Sequence, residues 1–135
     1  MITLEFALEL RAAGLVWKPA SGDRIIVPDR EMDDEVFVLS EMTVEIHDFQ
    51  TGRVIGFNGT TEWALDSIDQ QEVVWLPREE QLRGLLGGRF RRLEAVPGGF
   101  AVVAELDGQE QRQVDIDAER AYARSLLAML RMLRD

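Results

Sequence analysis

Two tight-turn signals, Pro97-Gly98-Gly99 and Asp107-Gly108, bracket the run from Phe100 to Leu106, and this spacing constrains the fold more than any other feature of the chain. A segment that short holds one strand. Turns of two or three residues join antiparallel neighbours, whereas a parallel partner needs a crossover of about a dozen residues. The pattern therefore predicts a three-stranded meander over Arg89 to Glu94, Phe100 to Leu106 and Gln109 to Ile116. Asp115 or Asp117 then caps a last helix in which Tyr122, Leu126, Met129, Leu130 and Leu133 fall on one stripe at helical spacing. Such a stripe is expected to pack on the sheet.

The first half reads with the same signals. Thr3 to Ala13 are strong helix formers, and Gly14 stands where a left-handed helix stop belongs. Pro19 and Ser21-Gly22-Asp23 mark a turn before a short strand at Arg24 to Val27, which Pro28 ends. Strands are expected at Glu35 to Ser40, Thr43 to Phe49 and Val54 to Phe57, followed by a capped helix that starts near Thr60 and ends near Ile68. Glu72 to Leu76 reads as extended. Pro77 opens a helix over Arg78 to Leu86, and Gly87-Gly88 closes it. The sum is an α+β fold: a mainly antiparallel sheet of about six to seven strands in a sandwich, with N- and C-terminal helices and two short central helices. At 135 residues the expectation is one domain, 1–135.

Composition narrows the setting. The chain has no cysteine, so disulfides, thiolate nucleophiles and thiolate metal sites are excluded, and no apolar run approaches the roughly twenty residues that span a bilayer. The N-terminal residues lack the basic and apolar regions of a secretion signal. A cytoplasmic location is the expectation. A formal charge of −10 disfavours nucleic acid and anionic membrane as partners. Residues 1–75 hold 15 acids and 5 bases, while residues 76–135 hold 10 of each, so the whole excess lies in the first half.

Few residues suggest chemistry. Asp29, Glu31 and Asp33 imitate the first, third and fifth places of a calcium loop, with Asp34 beside them. The imitation then fails, because Asp34 takes the place of the loop's glycine and Ser40 that of its bidentate Glu. Asp29, Glu31, Asp33 and Asp34 remain candidate ligands for Ca²⁺ or Mg²⁺, against the plainer reading of a solvated acidic turn. His47, the single histidine, lies between Glu45 and Asp48 and could form an acid/base pair, but a surface histidine on a wet strand fits as well. No phosphate-binding loop and no Gly-x-Ser-x-Gly elbow occurs, and the sequence calls for no cofactor. Trp17, Trp63, Trp75, Phe57 and Phe90 read as core residues before they read as a binding pocket. Glu35, Arg89 and Arg91 are candidate contact residues, with Arg89 and Arg91 expected on one strand face and Arg92 on the other. These features favour a non-enzymatic interaction or adaptor domain, with a small-ligand or metal-binding domain as the alternative and a His47-based hydrolase third. Self-association of the acidic half with the Arg-bearing half is a further reading.

Two stretches carry a resemblance: Ala13-Gly14-Leu15-Val16-Trp17-Lys18-Pro19 with Gly22-Asp23-Arg24, and Glu62-Trp63-Ala64-Leu65-Asp66 leading to Trp75-Leu76-Pro77-Arg78-Glu79-Glu80. They resemble a family of small bacterial proteins, some of which are labelled pilus assembly proteins of the CpaE type. The longer proteins of that type resemble MinD-like ATPases built around a phosphate loop that has no counterpart here, so the resemblance brings no site residues. The meander followed by Ala118 to Ala123 is also similar to small phage-type sandwich domains.

Overall fold

The computed structural model describes residues 1–28, 32–39, 45–49, 52–56, 67–69 and 73–134. These form an α+β protein whose sheets are all antiparallel. The chain divides into two compact units, one built from Met1–Val16 with Pro77–Asp135 and the other from Trp17–Leu76.

In the first unit, helix α1 (Leu4–Ala12) is capped by Thr3, whose hydroxyl accepts from the Phe6 N–H. Its end follows from Gly14, at φ +113°, which lets the Leu15 and Gly14 amides turn back onto the Leu10 and Arg11 carbonyls. Helix α2 (Glu79–Leu86) opens with the Gln81 side chain accepting from the Arg78 N–H, buries Leu82 and Leu86 one turn apart, and stops at Gly87, φ +58°.

The expected meander is present. Strands β7 (Phe90–Val96), β8 (Gly99–Leu106) and β9 (Gln109–Asp115) pair in order, joined by Pro97-Gly98 and by Asp107-Gly108, whose positive φ values fit a mirror-image hairpin turn. Helix α3 (Ala118–Arg134) is capped by Asp117, whose carboxylate accepts from the Arg120 N–H. The helix packs on β8 and β9.

The stripe on α3 is wider than the sequence suggested. Tyr122, Leu126 and Met129 are buried as expected, but so are Ala121, Ala123, Ser125 and Leu127, because α1 and α2 also pack on this helix. Leu133 is 58% exposed in the last turn.

The second unit holds the remaining strands. β1 (Arg24–Val27) lies between β2 (Met32–Val38) and β6 (Val74–Leu76), while β4 (Gly52–Gly56) lies between β3 (Glu45–Phe49) and β5 (Ser67–Asp69). Ile25, Ile26 and Val27 are all buried, as suits a central strand covered on both faces. Trp17, Ile25, Val27, Leu39 and Val73 form its core, with Phe37 and Trp75 packed against it.

Two expectations need correction. In place of six to seven strands in one sandwich, the described residues form nine strands hydrogen-bonded in three sheets of three. The helix expected to end near Ile68 does not include that residue, since Ser67–Asp69 is extended and pairs with β4, Ile55 opposite Ile68. Pairing between strands there outweighs local helix preference. Positions 60–66 lie outside the described residues.

Candidate interaction surfaces

Of the acidic cluster nominated from sequence, Asp29 and Glu31 lie outside the described residues, and Asp33 and Asp34 are described only as backbone within β2. Glu35 is exposed on the same strand, followed by exposed Val36 and Val38 around the inward Phe37. Among the described strands β2 pairs with β1 alone, so it is an edge of its sheet. His47 lies on β3 opposite Val54, with Glu45 opposite Gly56 and Asp48 opposite Arg53. Among the described residues no group of three or more metal-ligating side chains comes together.

The aromatic residues sort as core. Trp17 and Trp75 belong to the core of the second unit, and the Phe90 ring lies 5.6 Å from that of Tyr122. Phe57 and Trp63 lie outside the described residues. Burial raises the Tyr122 phenol above its ordinary range, a push that nearby Arg83 opposes and Glu79 reinforces. Arg83 itself sits 4.4 Å above the Phe90 ring.

Asp23 is the residue that sequence reading undervalued. Its turn was legible, but its depth was not: it is 1% exposed. One carboxylate oxygen accepts from the Trp17 indole N–H at 2.8 Å and from the Ala20 N–H at 3.0 Å. The Asp23 carbonyl also accepts from the Leu39 N–H, which ties the turn to the residue that follows β2. A tryptophan six residues before an aspartate in a Pro/Gly turn is the signal that pointed to it.

On the meander the arginines are not placed as expected. Arg89 belongs to a 3₁₀ turn at Gly87–Arg89 and not to the strand. A bulge then opens β7: Phe90 pairs with Ala104 but Arg92 with Val103, so two residues of β7 span one step of β8. The extra residue turns Phe90 toward Tyr122 and leaves Arg92 on the opposite face. On that face a lattice of ion pairs forms. Arg91 bonds the Gly88 carbonyl and Glu105; Arg92 pairs with Glu94 at 2.5 Å and Glu110 at 3.2 Å; Arg112 reaches Glu94 at 3.1 Å. Ala101 and Val103 of the central strand lie opposite Glu94 and Arg92 and are 0% and 2% exposed. The bond to Glu94 raises the Arg92 guanidinium further, and the same bond holds the Glu94 carboxyl below its usual range.

Asp115 fixes the junction of β9 with α3. It accepts from the Arg124 guanidinium at 2.8 Å and the Asp117 N–H at 3.1 Å, with Arg120 at 3.0 Å. Burial pushes its carboxyl up, but these donors outweigh burial and hold it below the usual carboxylate range.

The charge asymmetry follows the compact units. Residues 17–76 hold 13 acids and 4 bases, a formal −9, whereas residues 1–16 with 77–135 hold 12 acids and 11 bases, a formal −1. No described helix is long and apolar enough to cross a membrane. In comparisons with protein-family models, curated proteins and solved structures, nothing matches the chain.

Proposed function

We propose that the chain is a non-enzymatic interaction module that receives a basic partner surface on its acidic unit, residues 17–76. The observation that carries this reading is the formal −9 of that unit against −1 for the rest. Four cations cannot neutralise thirteen carboxylates, so the unit projects a net negative field toward any approaching partner. The edge strand β2 supports it further, since Glu35 is exposed there, while Val36 and Val38 leave apolar area on the strand's other face. The setting we propose is the cytoplasm, in keeping with a cysteine-free sequence. The family resemblance of the Trp17 and Trp75 stretches is compatible with an adaptor role in a larger assembly.

The test is recovery of the tagged chain from its own host at two salt concentrations, with bound proteins identified by mass spectrometry. A basic partner should be retained near 0.05 M salt and lost above roughly 0.3 M, as the Debye length shrinks below about 6 Å. Combined Asp33→Asn, Asp34→Asn and Glu35→Gln replacement should reduce that recovery. Retention that ignores both salt and these replacements would overturn the reading.

A further inference from the structure

We propose that the groove between α1 and α3 binds a free α-amino acid with an apolar side chain. The groove has a volume of about 380 Å³, at the lower end of the range for small-ligand sites. Its charges are sorted by wall. On the α1 side Glu5 and Glu9 stand one turn apart, both exposed, and on the α3 side stand Arg124 and Arg131. Between the walls lie Phe6, half-buried, and Leu127, 7% exposed. Carboxylates one turn apart repel each other, and a cation placed between them relieves that repulsion. The two arginines are not equivalent. Arg124 is committed to Asp115 at 2.8 Å and lies 5.7 Å from the Phe6 ring centroid, whereas Arg131 meets Glu9 only at 3.9 Å and is 63% exposed.

A zwitterion matches this layout group by group. Its ammonium faces Glu5 and Glu9, its carboxylate takes the loosely held Arg131 guanidinium, and its side chain covers Phe6 and Leu127. A simple anion would meet the glutamates and a simple cation the arginines, so each is disfavoured by one wall. Every lining residue belongs to 1–16 or 77–135, so the inference stands or falls independently of the acidic unit.

The experiment uses the full chain and follows amide shifts by NMR while L-phenylalanine is added, with N-acetyl-phenylalanine and phenylalanine amide as neutralised controls. Saturable shifts confined to α1, β9 and α3 are expected for the free amino acid, with at least about tenfold weaker binding for either control. Arg131→Gln and Glu5→Gln, both at exposed positions, should each weaken binding about tenfold while leaving the circular dichroism spectrum unchanged. No shifts up to about 10 mM, equal binding of the controls, or full binding by both variants would overturn the proposal.

Discussion

The two compact units manage charge in opposite ways. Residues 1–16 with 77–135 balance eleven cations against twelve carboxylates and interleave many of them, in the lattice over β7, β8 and β9 and around Asp115. Residues 17–76 carry an excess that no internal pairing removes, yet among their described residues the Asp23 carboxylate is buried, at 1% exposure. Net charge and buried charge are therefore separate choices. An anion can sit in a core if donors meet its oxygens, while surface charge of the same sign is left for solvent or a partner.

The units also carry separate reporters. All three tryptophans lie in 17–76, whereas all three described α-helices lie in the other unit. Indole fluorescence thus follows one unit, and the circular dichroism of the described helices follows the other. Leu126→Ala should have the largest effect. It empties a fully buried site on α3 and should cost about 3 kcal/mol in the denaturation curve followed by circular dichroism. If the fluorescence curve shifts equally, the units unfold as one and the comparison loses its thermodynamic meaning.

Asp23→Ala comes next. It strands the Trp17 indole and Ala20 N–H groups and should cost about 2–3 kcal/mol, read by fluorescence. Asp23→Asn, which keeps an acceptor, should cost less.

Asp115→Asn should cost about 1–2 kcal/mol at neutral pH by weakening the pairs with Arg120 and Arg124. Its pH dependence has a defined sign. Because the folded-state pKa is lowered, the contribution is present above the unfolded value near ~3.9 and is lost as pH falls through the folded value. The gap between wild type and variant in urea midpoint should therefore close in acid; a constant gap would mean that the carboxylate's charge is irrelevant at this junction.

The smallest effect is expected in the surface lattice. Arg112→Ala should change stability by less than about 0.5 kcal/mol, since its pair with Glu94 is exposed and screened. A larger loss would show that the lattice matters as cover for the Ala101 and Val103 floor.

The second half of the chain was largely legible because its signals are local. Pro97-Gly98 and Asp107-Gly108 each demand a particular turn, and those turns set the register of β8 with both neighbours. Arg89 was misplaced because the 3₁₀ turn Gly87–Arg89 delays the strand, and Arg91 and Arg92 because a bulge has no compositional signature: one extra residue inverts the alternation, and only the pairing partner reveals it. The burial of Ala121, Ala123 and Ser125 was equally hidden, since it depends on packing by α1 and α2, elements distant in the chain. For the candidate sites, the sequence nominated single charges, whereas the groove between α1 and α3 brings together residues far apart in the chain.

One consequence of the topology concerns folding. Residues 17–76 form a sixty-residue insertion between α1 and α2, and pairing of Arg24 in β1 with Leu76 in β6 brings its two ends together. Docking α1 on α3 across a floppy insertion would close a long loop. Once the insertion has folded, the remaining span behaves like a loop of about ten residues, which lowers the closure entropy by roughly 1.5 kcal/mol. The acidic unit thereby acts as a clasp for the rest of the chain.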